Sequence, residues 1–164
     1  MENPESESRE TISRFEDLLV RLARAEVDFC VVGGLAVILC GYVRVTEDVD
    51  ILISETPANV RRMLEVLTAW GEGWARELKP EEFVPQEGAL RLNDVLDLDL
   101  FTRMRGHSLE DFRPRLRFFE TQGVRVPHLA PEDLIALKQG SWRDKDRIDV
   151  LAMQEVLQRE RGEK

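Results

Sequence analysis

A chain of 164 residues that is 43% hydrophobic has length for one core and little beyond it. Its net charge of −9 argues against a broad nucleic-acid-binding face, although residues 103–117 and 138–147 form local basic clusters. The longest apolar run, 27–39, is split by Gly33-Gly34 and is too short to span a bilayer, and the N-terminal MENPESESRE is acidic where a signal peptide is basic and then apolar. A cytoplasmic protein with no membrane partner is expected.

Residues 1–8 are charged and lack apolar periodicity, which predicts a disordered tail ahead of a single domain over 9–161, with its core in 27–128 and a helical segment in 131–161. Ile12, Phe15, Leu18, Leu19 and Leu22 recur at intervals of three and four, the spacing of an amphipathic helix over 10–25. Residues 27–32 are almost unbroken apolar and read as a strand buried on both faces. After Gly33-Gly34, LAVILCGY is apolar all round and stops at Gly41, which predicts a short buried helix. Residues 48–53 read as the next strand. Thr56 as N-cap and Pro57 in the first turn open a helix over Val60, Met63, Leu64 and Leu67 that ends near Trp70-Gly71.

Residues 73–88, with two prolines and mixed charges, read as loop with a short strand. Residues 89–101 alternate, placing Leu90, Leu92, Leu96, Leu98 and Leu100 on one face and Asp97 and Asp99 on the other. A short helical stretch over 109–116 is interrupted by Pro114, and 124–127 is a last short strand. Pro131 opens a helix over Leu134, Ile135 and Leu137, and a final helical pattern runs through Ile148, Leu151, Ala152, Glu155 and Val156. Helices and strands alternate, so the fold class is α/β or α+β.

Cys30 and Cys40 lie in the most apolar stretch with no His or Cys at metal-ligand spacing, and read as small buried hydrophobes. His107 and His128 adjoin no Cys or carboxylate cluster. Asp48 and Asp50 are a different case. Positions i and i+2 of a strand share a face with backbones about 7 Å apart, so the two carboxylates can converge. Two anions at that range raise one pKa or demand a cation, and Mg²⁺ suits all-oxygen ligands completed by water and phosphate. Gly33-Gly34, between a strand and a helix start, exposes backbone N–H groups of the kind that bind phosphate. A third carboxylate, Asp97 or Asp99, would add a ligand or a base for an attacking hydroxyl.

Gly33-Gly34, Arg44, Thr46 and Asp48-Val49-Asp50 resemble the signature of the nucleotidyltransferase superfamily typified by DNA polymerase beta: a hydrophobic strand, Gly-Gly or Gly-Ser, a short helix, then Asp-x-Asp or Asp-x-Glu. DLIALKQGSWRDKDRIDV resembles the Lys, Arg, Lys-Asp and Asp motif of the abortive-infection nucleotidyltransferase toxins and their small relatives. Two motifs in the right order span 27–150. The resemblance implies a nucleotidyltransferase fold with a short mixed sheet flanked by helices. It implies that Gly33 and Gly34 cradle the triphosphate of a nucleotide such as ATP, that Asp48 and Asp50 hold Mg²⁺ or Mn²⁺, and that Asp99 rather than Asp97 is the third carboxylate. Arg44, Thr46, Lys138 and Lys145 would bind the nucleotide, with Arg143 and Asp146 in supporting roles. The implied reaction is attack of an RNA or protein hydroxyl on the α-phosphate, in a toxin–antitoxin or phage-defence setting with a cognate toxin or antitoxin as partner.

Gly34 departs from the Ser that many members carry, and Gly-Gly-Leu-Ala-Val-Ile departs from the Gly-Ser-x-Ala-Arg-Gly of the antitoxin-like branch. Plainer roles stand beside the functional ones. Arg44 can pair with Glu47 or Asp48 across a loop, Lys138 suits a helix C-terminus in any case, and 143–149 reads as a solvated mixed-charge face. Trp70, Trp74 and Trp142 read first as core or groove packing. The alternative function is a catalytically silent module of the same fold acting through a protein partner. A glycosyltransferase is disfavoured by the short chain and by a Gly-Gly turn ahead of the aspartates.

Overall fold

A computed structural model describes residues 4–162. Its six strands are β1 (Phe29–Val32), β2 (Asp48–Ile53), β3 (Leu90–Asn93), β4 (Asp97–Phe101), β5 (Arg117–Thr121) and β6 (Val124–His128). They form one mixed sheet in the order β3-β4-β2-β1-β6-β5. β2 runs antiparallel to β1 and parallel to β4, β6 runs parallel to β1, and the outer pairs β3/β4 and β5/β6 are antiparallel hairpins. The helices are α1 (Pro4–Arg24), α2 (Gly33–Leu39), α3 (Pro57–Thr68), α4 (Leu109–Phe112), α5 (Pro131–Lys138) and α6 (Asp144–Glu160). The expected α/β architecture, helices flanking a short mixed sheet, is what the chain adopts.

β1 is buried along its whole length, as a central strand covered on both faces must be. β2 instead alternates at its start: Val49 and Ile51 are fully buried, while Asp48 and Asp50 turn to the other face. α1 packs on β6 and α3, whereas α2 lies on β1 and β2 and touches α5 and α6. The α2, α5 and α6 group therefore gathers on the face that carries the aspartates. Asn59, buried in α3, joins the outer ends of the two central strands: its amide accepts from Asp28 N–H at 2.7 Å and donates to the carbonyls of Asp28 at 2.9 Å and Ser54 at 2.8 Å.

Several expectations are corrected. Residues 4–8, read as disordered tail, are the first turns of α1, where Pro4 suits the start of a helix; residues 1–3 lie outside the described residues. Residues 73–88 hold two 3-10 turns, Trp74–Glu77 and Pro80–Glu82, and no strand. β5 went unread because Arg-Phe-Phe-Glu-Thr alternates weakly, with Phe118 exposed and Phe119 only half-buried. Thr56 precedes α3 without a side-chain cap bond. The face of α6 is rotated from the expected one: Asp149, Ala152 and Met153 are buried, while Ile148 is 52% and Leu151 66% exposed. Trp70 is core, but Trp142 is 84% exposed and packs in none. Cys30 and Cys40 are free thiols, as their setting suggests, and burial pushes the Cys40 thiol up to about 12.

Candidate active site

β2 and β4 lie side by side in parallel register, with Asp48 opposite Asp97 and Asp50 opposite Asp99. Residues paired this way point to the same face, so four carboxylates form a two-by-two patch on the sheet. Leu98 and Leu100 are buried on the opposite face, which settles the alternation in favour of the aspartates as the polar face. The expected alternation, with Asp97 and Asp99 on the polar face, is the one the strand adopts. Asp97 and Asp99 both reach the patch, and it is Asp99 whose side chain hydrogen-bonds Asp50.

Asp50 is the electrostatic centre. Burial, the charge of Asp99 and the hydrogen bond the two share, with a smaller push from Asp48, raise its pKa to about 7, and Lys138 opposes them. Asp99 moves the other way, held below the usual carboxylate range chiefly by a hydrogen bond from Arg91. Near neutral pH the pair thus shares a proton, with Asp50 its principal holder. Gly33 explains how the turn comes so close. Its φ is +65°, and a Cβ there would stand 2.2 Å from Asp50 Oδ2, so only glycine leaves room for that carboxylate beside the backbone. A Cβ on Gly34 would stand 3.0 Å from Thr46 Oγ1 and 3.3 Å from a terminal guanidinium nitrogen of Arg44. α2 has seven residues, so its dipole is small and the turn's own N–H groups are what it offers an anion.

Arg44 reaches across to α6, where one of its terminal nitrogens lies 2.6 Å from both oxygens of Asp149, and its Nε donates to the Val45 carbonyl at 3.5 Å. Asp149 is 1% exposed, a correction to the expectation that 143–149 is a solvated face. Lys138, closing α5, donates to Asp149 at 3.0 Å and to Asp146 at 3.1 Å. Asp146 also accepts from Ser141 Oγ at 2.8 Å. This chain of ion pairs fastens α5 and α6 to the α2–β2 loop and keeps two cations beside the glycine turn. Arg143 is exposed, 3.9 Å from Asp146. Lys145 is exposed one helical turn before Asp149, on the same side of α6.

Arg91 is the residue the sequence reading missed. It faces Asp99 across the β3/β4 hairpin, and its guanidinium donates to Asp99 Oδ1 and Oδ2, each at 2.8 Å, and to Asp48 Oδ2 at 3.3 Å. The signal was present: Arg91 lies between the buried-face Leu90 and Leu92, hence in phase with the aspartates. Among the described residues no three His, Cys, Asp or Glu side chains surround a common point that would hold a metal. The donor chemistry nonetheless fits a hard divalent cation, because Asp48, Asp50 and Asp99 are all-oxygen ligands on one face and two of them share a proton for want of charge. The Arg91 guanidinium spans Asp48 and Asp99, two of the residues that would hold such an ion.

The fold is that of the nucleotidyltransferases. A Thermotoga maritima protein, TM1012, described as a "putative nucleotidyltransferase", superposes with a TM-score of 0.54 at 18% identity, covering 95% of each chain. An antigenic nucleotidyltransferase-like protein from Paracoccidioides brasiliensis superposes with a TM-score of 0.55 at 17% identity, covering 92% of this chain and 78% of its own. No curated protein matches the sequence. Residues 11–159 match the family described as "Nucleotidyltransferase of unknown function (DUF6036)", and the chain belongs to that family. No helix among the described residues is long and apolar enough to cross a membrane.

Proposed function

We propose that the protein is a metal-dependent nucleotidyltransferase that moves a nucleoside monophosphate from a nucleoside triphosphate such as ATP to a hydroxyl of RNA or protein. The observation that carries this reading is the pairing of Asp48 and Asp50 with Asp97 and Asp99 on one sheet face, at the mouth of the Gly33-Gly34 turn. In the reaction an acceptor oxygen bonds to the α-phosphorus, the bond to the β-phosphate breaks, pyrophosphate leaves, and the hydroxyl proton passes to a carboxylate. A bound Mg²⁺ or Mn²⁺ supplies positive charge to the attacking and leaving oxygens.

Asp48 and Asp50 would hold that ion and Asp99 would complete the set, their carboxylates supplying all-oxygen ligands from one sheet face. The N–H groups of the glycine turn face the polyphosphate. Arg44 and Lys138, positioned by Asp149, bring cationic charge to the same side, with Thr46 beneath the glycine turn and the exposed Lys145 and Arg143 as further nucleotide contacts in this reading. The likeness of the Lys138, Arg143, Lys145-Asp146 and Asp149 segment to abortive-infection nucleotidyltransferases extends the proposal to a toxin–antitoxin or phage-defence role with a cognate partner.

The test is transfer of label from each α-labelled ribonucleoside triphosphate to RNA and to protein, with Mg²⁺ or Mn²⁺. Asp48→Asn and Asp50→Asn are expected to reduce transfer by about a hundredfold or more with the fold intact, since the ion contributes several kcal/mol to the transition state. Full transfer by both variants sinks the reading. A silent module acting through a protein partner is the second reading, and it is favoured by the exposed apolar Trp142, Ile148 and Leu151. Folded protein that neither binds nor transfers any nucleotide would establish it.

A further inference from the structure

Arg91 sits on β3, the edge strand of the sheet, and its side chain is nearly half exposed. A cross-strand pair with Asp99 would be ordinary surface chemistry on an antiparallel hairpin. What is not ordinary is its reach. The guanidinium takes both oxygens of Asp99 with its planar fork and also meets Asp48, two strands away, so it bridges two of the three proposed metal ligands. Asp50 is hydrogen-bonded to Asp99 behind it, and Asp97 is paired with Asp48 on the neighbouring strand. Lys138, whose charge is also felt at Asp50, is engaged by Asp146 and Asp149.

We infer that Arg91 is the resident counter-ion of the metal-free site: its guanidinium holds Asp48 and Asp99 in place and must be displaced before a divalent cation can bind them. This rests on the metal-dependent reading above and goes beyond it by assigning a residue that sets how tightly the ion is held. The guanidinium occupies three of the four oxygens that Asp48 and Asp99 offer, so a divalent ion approaching them meets its charge and its hydrogen bonds and competes with it. Because the guanidinium is tethered and already at its partners, it acts at high effective concentration. Because it stands at a water-exposed edge, its departure leaves no unsolvated charge. The site therefore remains closed to weak or scarce cations and opens to a divalent ion whose charge density exceeds that of the guanidinium.

The experiment is direct binding of Mn²⁺, followed by electron paramagnetic resonance and by calorimetry, to wild type, Arg91→Gln and Arg91→Lys, together with melting of each with and without the ion. Arg91→Gln is expected to bind Mn²⁺ about tenfold or more tightly than wild type, the scale of a coupling between two ligands of one site. It is also expected to melt lower than wild type without metal, with a larger rise on adding Mn²⁺. Arg91→Lys, which keeps the charge and loses the fork, falls between them. Mn²⁺ binding to Arg91→Gln at or below the wild-type affinity, in protein that melts cooperatively, overturns the inference. If wild type and Asp50→Asn bind Mn²⁺ equally, the metal reading itself has failed and the inference falls with it. Binding by Arg91→Gln where wild type shows none is the strongest support.

Discussion

At residue scale, Asp50 shows how a carboxylate becomes useful by being costly to ionise. Its folded-state pKa of about 7 stands above the ordinary 3.8, so the folded protein holds a proton that the unfolded chain gives up between those values. Its stabilising contribution is present below about 4 and is lost as pH rises through about 7. Asn cannot titrate and resembles the protonated acid. Metal-free Asp50→Asn is therefore expected to match wild type near pH 4 to 5 and to exceed it above pH 7 by on the order of 2–4 kcal/mol, measured by urea unfolding across pH. A difference that does not grow with pH would mean that Asp50 is not strained in the folded state. Asp48, Asp50 and the glycines were legible because their spacing alone places them on one turn and one strand. Arg91 was not, since its partners lie 8 and 43 residues away and its reach depends on which strands are neighbours.

At the scale of elements, α6 is held both by a buried ion pair and by Ala152 and Met153 in the core. Of the expected face Ala152 and Val156 do pack inward, but Ile148 and Leu151 do not, and Asp149 takes their place, carrying Arg44 at 2.6 Å and Lys138 at 3.0 Å. Removing one member of such a set leaves the other charges buried without compensation, so Asp149→Ala is expected to cost about 3–5 kcal/mol. Ile148→Ser, on the exposed side of the same helix, is expected to change stability by no more than about 0.5 kcal/mol. Thermal melting of the two variants checks both, and equal effects would contradict the observed face. Apolar periodicity misled in part, because Ile148 and Leu151 stand in solvent while Asp149 turns inward beside Ala152 and Met153.

For the whole molecule, one apolar cluster runs from Phe15 on α1 through the sheet and Trp70 to Met153 on α6. A single cluster joining the first helix to the last predicts one cooperative unit. Trp fluorescence, reporting Trp70, and far-ultraviolet circular dichroism are expected to give coincident urea transitions. Separate transitions would show that the helical segment at 131–161 folds apart from the sheet. The same continuity gives the site its position: β2 and β4, which carry the carboxylates, are rigid interior strands backed by fully buried Val49, Ile51, Leu98 and Leu100.

By itself the sequence determined the local facts: the central strands, the glycine turn with its paired aspartates, the alternation that turns Asp97 and Asp99 out of the core, and the class of protein. These follow from periodicity and backbone freedom, which act over a few residues. Only the tertiary structure decided that β4 lies parallel beside β2 and so sets Asp99 against Asp50, that Arg44 reaches Asp149 on α6, and that Arg91 spans two metal-ligand candidates. Each of those depends on strand order and register, set by core burial over separations that no local pattern encodes.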